Sequence, residues 1–161
     1  MEHDSKLRRG NMRAGTVLER VSHLNVDGRL AQAMHLELQE MGMPRANLFL
    51  VGPRSVTQNL LDLLLPDLHS PIATWFPGEP MELAPVAGSG TMIFYDIGAL
   101  AAEDQRRLLD HLASDACQPQ IISTSSTPLF PRVRAGTFDD TLYYRLNHIY
   151  MDLSGPPSRP L

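Results

Sequence analysis

The sequence predicts an α/β fold in which a mostly parallel sheet lies between two layers of helices. Continuous apolar segments, such as the run in residues 47–51 that stops at Gly52-Pro53, are typical of strands buried on both faces. Segments with apolar residues at spacings of three and four alternate with these strands. Strands that alternate with helices favour parallel pairing and helical cover on both faces of the sheet.

The first predicted helix starts at Asp27 and closes at Gly42, with Pro44 beyond it. Its apolar positions recur at helical spacing, at Leu30, Ala31, Met34, Leu38 and Met41. A strand over residues 47–51 follows. A second helix is predicted over about residues 56–65, where Pro66 ends it.

Residues 72–76 are a weaker strand candidate, and several Pro and Gly residues then mark a loop before the buried strand at residues 92–95. A helix over residues 101–113 carries an apolar stripe at Leu108, Leu109 and Leu112. The remaining elements are a strand at residues 120–125, a short helix at residues 140–146 and a strand at residues 148–153. The short helix is expected to place its apolar residues in the core, namely Leu142, Tyr143, Tyr144 and Leu146.

A length of 161 residues suits one domain with a substantial core. We assign the domain to residues 16–153, between a flexible basic tail at residues 1–15 and a Pro-rich tail at residues 154–161. The basic tail contains Lys6, Arg8, Arg9 and Arg13, and we interpret it as a solvated segment. The Pro-rich tail cannot continue regular structure.

Composition argues against several classes of function. A formal net charge of -4 gives no general attraction to nucleic acid, so no direct DNA binding is expected. No long apolar run or signal peptide is visible, which predicts a cytoplasmic protein without a membrane span. Cys117 is the single cysteine and is expected to pack as a small hydrophobe. No metal site is expected, because the six histidines show no ligand spacing.

Two segments carry a resemblance to a known family. Residues 90–100, GTMIFYDIGAL, and residues 138–147, FDDTLYYRLN, resemble two signature segments of the AAA+ domain of bacterial sigma-54-dependent transcriptional activators. That family usually has GTLFLDEIG and FREDLYYRLN at these places, and the LYYRLN hexamer is intact. The match extends over roughly residues 47–153. The resemblance implies a P-loop NTPase fold of the AAA+ type, with three layers and a mostly parallel sheet.

The phosphate-binding loop of such ATPases needs the pattern GxxxxGK[ST], in which backbone N–H groups and a lysine hold the phosphates. Residues 52–59 have GPRSVTQN instead, and only Gly52 fits. Thr57, Gln58 and Asn59 replace the second glycine, the lysine and the hydroxyl residue. Arg54 lies at a helix N-terminus, where an anion could still bind, although an ordinary turn with an exposed arginine is the favoured interpretation.

The other catalytic positions of the family are also replaced. The magnesium-organising Asp and the water-activating Glu correspond to Tyr95 and Asp96, and shifting the register by one residue does not restore a competent pair. The two arginine fingers correspond to Asp139 and Arg145, which we regard as candidate interaction residues, and the sensor Asn corresponds to Ser126. We therefore expect no catalytic residues, no ATPase activity and a degenerate nucleotide site formed by Gly52, Arg54, Gln58, Asn59 and Asp96.

The segment between the two nucleotide-binding motifs is short. Residues 60–89 make up only 30 positions, whereas the family usually has roughly seventy there, including the GAFTGA loop that contacts sigma-54. No such loop is present. The helical lid and the helix-turn-helix domain that follow the core in this family are likewise expected to be missing.

Two functions follow from the resemblance and the replaced residues. The first is a catalytically inactive AAA+-like module that acts by protein association in bacterial transcription or signalling control, with a related activator, its own copies or a signalling protein as partner. Because nucleotide holds the family's rings together, a monomer or homodimer is expected. The alternative is a sensor that binds a nucleotide or nucleotide second messenger without hydrolysis. No cofactor is expected under the first function.

Overall fold

A computed structural model of the chain describes residues 26–42, 45–83, 90–113 and 118–154. The predicted basic tail at residues 1–15, nearly all of the Pro-rich tail and Cys117 lie outside these ranges. In chain order the helices and strands are α1 Val26–Met41, β1 Leu48–Val51, α2 Arg54–Leu64, β2 Ile72–Trp75, β3 Thr91–Phe94, α3 Ala102–Ala113, β4 Gln120–Ser125, α4 Phe130–Arg134, α5 Asp140–Leu146 and β5 Ile149–Asp152. Short 3-10 helices occupy Leu65–Asp67 and Ile97–Ala99.

Each predicted helix and strand is present, with small differences at the ends. The second helix begins at Arg54, two residues before its predicted start, because Pro53 is tolerated ahead of a first turn whose N–H groups have no helical partner. Pro66 does not end the helical backbone directly, because it lies within the 3-10 helix Leu65–Asp67 that follows α2. The five-residue α4 was not predicted, because a segment this short shows no periodicity.

The described strands form one five-stranded parallel sheet in the order β2-β3-β4-β1-β5. The central strand is therefore β4, β1 lies between β4 and β5, and all five carboxyl ends meet at one edge. Helices cover both faces, as predicted. One face packs against α1 and α2 through residues that include Leu50, Leu60, Ile93 and Ile122. The other packs against α3 and α5 through residues that include Phe49, Phe94, Leu108 and Leu142.

One core assignment from the sequence is wrong. Leu142, Tyr143 and Leu146 are buried as expected, but Tyr144 is 61% exposed. Residues 142, 143 and 146 share one face of α5 at spacings of one, three and four, whereas residue 144 lies about 200° around the helix from residue 142. The apolar character of a tyrosine does not reveal which side of a seven-residue helix it occupies.

Candidate functional site

The carboxyl edge of the sheet brings together the turns that follow β1, β3 and β4. The backbone N–H of Gly52 donates to the carbonyl of Ser125 at 3.0 Å, and the N–H of Asp96 donates to Oγ1 of Thr124 at 3.1 Å. A cavity of about 230 Å³ opens beside them, and its lining includes Asp96 and Ser126. The position of this edge matches the site where ligands bind in open α/β sheets, at the carboxyl ends of the strands.

The turn between β1 and α2 is too short to surround a phosphate group. Only Gly52 and Pro53 separate Val51, the last residue of β1, from Arg54, the first residue of α2. A phosphate-binding loop presents several successive backbone N–H groups to the anion, and proline has none. At this turn the chain therefore offers the N-terminus of α2 and the exposed side chain of Arg54.

Gly52 is required here by packing. Its φ of 154° is a backbone conformation that residues other than glycine rarely adopt. A Cβ on Gly52 would lie 2.9 Å from the backbone carbonyl carbon of Leu153. Leu153 follows β5 and donates its N–H to the carbonyl of Val51. The close approach of these two backbone segments accounts for the one position of the phosphate-loop pattern that the chain retains.

The three residues that the resemblance aligns with the loop's second half lie within α2. Oγ1 of Thr57 donates to the carbonyl of Arg54 at 3.1 Å, and Nε2 of Gln58 donates to Oδ1 of Asp62 at 2.9 Å. Asn59 is half-buried further along the helix. Among the described residues that line the 230 Å³ cavity, Asp96 is the one member of the predicted nucleotide site, and Gly52, Arg54, Gln58 and Asn59 do not line it.

Tyr95 and Asp96, which correspond to the two carboxylates of the family's second signature, have different surroundings. The ring of Tyr95 stacks on Phe76, with centroids 4.4 Å apart and planes 5° from parallel. Asp96 is exposed and has a left-handed backbone, with φ at 46°. Aspartate is one of the few residue types that tolerate this conformation. A stacked phenol and an exposed carboxylate do not form the paired carboxylates that a magnesium nucleotide site uses.

The two positions that the resemblance assigns to arginine fingers make contacts within this chain. The carboxylate of Asp139 accepts a hydrogen bond from the N–H of Leu142 at 2.8 Å and caps the N-terminus of α5. Nη1 of Arg145 donates to the carbonyl of Leu112 at 3.1 Å, near the end of α3. The capping role was available from the sequence, because Asp directly before a helix is a preferred N-cap.

Sequence reasoning missed Arg132, which lines the cavity beside Asp96. Its guanidinium donates through Nη1 to the carbonyl of Gly98 and lies close to the carbonyl of Thr137. A Cβ on Gly98 would lie 2.7 Å from this guanidinium, so a larger residue at position 98 would displace the Arg132 side chain. Arg132 belongs to the unpredicted α4, and no motif pointed to it. The cavity therefore has both a carboxylate and a cation in its wall.

The exposed side chains of Phe130, Tyr144 and Tyr150 are called here the aromatic surface. None of them lines the 230 Å³ cavity at the carboxyl edge of the sheet. These side chains are 44%, 61% and 42% exposed. Tyr143 contacts both Phe130 and Tyr144, with ring centroids 6.0 and 5.3 Å apart. Phe49 in turn contacts Tyr143 and Tyr150. Burial of part of its ring, together with the nearby charge of Asp152, raises the pKa of Tyr150 above its ordinary value.

Within the ranges that the structure describes, no helix is long and apolar enough to cross a membrane. The same ranges contain no group of three or more His, Cys, Asp or Glu side chains placed to hold a metal ion.

Comparison with solved structures identifies the fold. NtrX from Brucella abortus in complex with ATP superposes with a TM-score of 0.60 at 16% identity, covering 78% of this chain and 37% of NtrX. NtrX in complex with ADP gives a TM-score of 0.56 at the same identity, covering 78% and 36%. The chain thus spans little more than a third of the length of these proteins. No curated protein sequence matches it.

The sequence profile of the sigma-54 interaction domain matches residues 27–155, which is most of the chain. This range contains the whole described sheet and both signature segments. The AAA+ fold predicted from the resemblance is therefore confirmed by the sheet order and by the likeness to NtrX. The chain belongs to the family of sigma-54 interaction domains.

Proposed function

We propose that this domain is a catalytically inactive AAA+-like module that acts by binding another protein in bacterial transcription or signalling control. The observation that carries the proposal is the two-residue turn between β1 and α2. With the helix starting at Arg54, Gln58 lies within the helix and donates to Asp62, so the turn has neither the phosphate-wrapping backbone nor the lysine of an ATPase.

The remaining replaced positions support the loss of hydrolysis. Tyr95 is stacked on Phe76 where the family has its metal-organising carboxylate. Asp139 caps its own helix where the family has an arginine finger. Arginine fingers are worth about 10³ to 10⁵ in rate in related phosphoryl-transfer systems, and a carboxylate at that place would repel a neighbour's nucleotide.

The aromatic surface supports protein association as the retained activity. Tyrosine and phenylalanine are enriched at protein interfaces, where a large rigid ring is buried at little cost in side-chain entropy. The partner is a related AAA+ activator, a second copy of the chain or a signalling protein. Without nucleotide between subunits, the chain is a monomer or homodimer in the cytoplasm, needs no cofactor and makes no direct contact with DNA.

Phosphate release with millimolar ATP-Mg²⁺ tests the inactive part of the proposal. We expect no turnover above the rate without protein, and no change in the thermal midpoint on adding ATP-Mg²⁺ or ADP. A ligand present at 100 times its dissociation constant stabilises a protein by about 2.7 kcal/mol, so binding would be visible. Hydrolysis that disappears in the Asp96→Ala variant would overturn this part.

A sensor without hydrolysis is the second candidate, and one observation favours it. The 230 Å³ cavity has Arg132 in its wall, and the exposed Arg54 stands at the N-terminus of the eleven-residue α2, where anions are favoured. Calorimetric titration with ATP, ADP and cyclic dinucleotides decides between the two functions. A saturable heat that Arg132→Met removes supports the sensor, and flat titrations with all of these ligands reject it.

A further inference from the structure

A second, larger cavity lies at the opposite edge of the sheet. Its volume is about 500 Å³, and it is bounded by Leu48 and Gln120, the first residues of β1 and β4. Leu38 of α1 closes one side, and Leu64 and Leu68 close another. The cavity is separated by the length of the strands from the edge that carries Asp96, so the replaced nucleotide residues take no part in it.

Gln120, a residue of the cavity lining, has an unused hydrogen-bond acceptor. The residue is only 4% exposed, and its Nε2 donates to the carbonyl of Ala46 at 2.7 Å. That bond determines which end of the amide is the oxygen, because a carbonyl can only accept. Oε1 then has no partner among the described residues, which is unfavourable for a buried acceptor.

His35 is a second polar group in the cavity wall with unused capacity. Both of its ring nitrogens are buried and lack a hydrogen-bond partner among the described residues. Nε2 lies 3.6 Å from Oδ2 of Asp67, which is too long for a hydrogen bond and becomes an ion pair only when the imidazole is protonated. The side chain of Asp67 is 64% exposed, so its carboxylate is open to solvent beside the cavity.

The charges of the lining restrict what could bind. The described lining has a carboxylate and the amides of Gln39 and Gln120, and it includes neither Lys nor Arg. Phosphates and carboxylates would therefore be repelled by Asp67 and would find no Lys or Arg among the described lining residues. A ligand with an apolar body can pack against the leucines. An N–H or O–H group on it can donate to Oε1 of Gln120 after a small rotation of that side chain, because Oε1 itself has almost no accessible surface. The volume is within the usual range of about 300–1,000 Å³ for small-molecule sites.

We propose that this cavity binds a small, uncharged or cationic molecule with an apolar body and at least one hydrogen-bond donor, such as an aromatic amine, an indole or an alcohol. The site is independent of the proposed function, since it shares no residue with the nucleotide edge or with the aromatic surface. It gives the domain a ligand of a different chemical class from the nucleotides of its family.

Indole and indene form the matched pair of probes, because indene has the same shape and lacks the N–H donor. Each is titrated into the ¹⁵N-labelled chain of 161 residues, and backbone amide shifts are followed by NMR. We expect saturable shifts at Leu48, Leu68 and Gln120 with indole, and an affinity about tenfold lower for indene, because a buried acceptor is then left without a donor. Inorganic phosphate, added as the anionic probe, should produce no shifts at these residues.

Substitutions at two neighbouring residues test whether indole binds in this cavity. Leu64→Trp fills the cavity and should abolish the indole shifts, whereas Leu65→Trp adds the same bulk at an exposed residue outside the lining and should leave them unchanged. No saturable shift with indole at its solubility limit would overturn the proposal. Equal affinity for indole and indene would overturn the role of Gln120, and this comparison holds even if Leu64→Trp does not fold.

Discussion

The carboxylate of Asp139 lies 2.8 Å from the backbone nitrogen of Leu142 and closes the first turn of α5. The backbone N–H of Asp139 in turn donates to Oε1 of Gln105 in α3 at 2.9 Å. A residue that the resemblance assigns to contact between subunits thus joins two helices of one subunit. Arg145, at the second such position, is likewise bonded to its own chain through the carbonyl of Leu112.

We predict that Asp139→Ala lowers the free energy of unfolding by about 1 kcal/mol, because loss of an N-cap carboxylate leaves helix N–H groups without a partner. The midpoint of thermal unfolding should fall by about 2–4 °C. Asp139→Asn keeps a side-chain acceptor and serves as the control, with a smaller change expected. An unchanged midpoint for Asp139→Ala would contradict the capping role.

Gly52→Ala should destabilise the domain by more than about 2 kcal/mol, since its Cβ would lie 2.9 Å from the backbone of Leu153 and overpacking adds to an unfavourable φ. Gly78→Ala is the matched control. Gly78 also has a positive φ, at 90°, but a Cβ there meets nothing within 4 Å. Urea unfolding of both variants separates steric overlap from backbone strain. Equal losses in the two would argue against the packing explanation for Gly52.

Gln105→Met should lower the free energy of unfolding by about 1–3 kcal/mol, although methionine has nearly the same shape as glutamine. Gln105 is buried, donates to the carbonyl of Leu100 at 3.0 Å and accepts from the N–H of Asp139, so both backbone groups lose a partner. Leu108→Met, one turn along the same helix, removes no hydrogen bond and should cost less than about 1.5 kcal/mol. Chemical denaturation measures both. A smaller loss for Gln105→Met than for Leu108→Met would refute the bridging role.

Sedimentation velocity of the purified chain should give the mass of a monomer or dimer, and ATP-Mg²⁺ should not change it. The physical reason is that Asp139 and Arg145 are bonded within their own subunit, and the β1–α2 turn lacks the backbone that would hold phosphates between subunits. Assembly into a ring of six subunits on addition of ATP-Mg²⁺ would show that nucleotide still joins the subunits.

Tyr144→Ala should weaken association at least tenfold if the aromatic surface is the binding face. Tyr144 is exposed, so the same change should leave the thermal midpoint nearly unaltered. Fluorescence anisotropy of the labelled chain, titrated with an AAA+ activator domain from the same organism and with unlabelled chain, measures both candidate partners. Leu65→Ala, at an exposed leucine after α2, is the control. Equal affinities of wild type and Tyr144→Ala would place the interface elsewhere.

Much of the fold was predictable because each element has a local signature. The buried strand β4 was predicted at its observed bounds from the break at Pro119 and from the match to a strand of the family, and α5 from a short apolar repeat. The position of Tyr144 on α5 was not, because a difference of one or two residues along a helix decides which face a tyrosine occupies. The five-residue α4, and with it Arg132, gave no periodic signal at all.

The sequence by itself determined the order of strands and helices, the family, and the side-chain chemistry at each signature position. These features depend on residue types and on spacings of a few residues along the chain. Tertiary structure alone decided why Gly52 must be a glycine, since the obstacle is the backbone of Leu153, about a hundred residues away. It also brought His35 and Gln120 to one cavity. Contacts between distant segments depend on how helices and strands pack, and no local pattern encodes them.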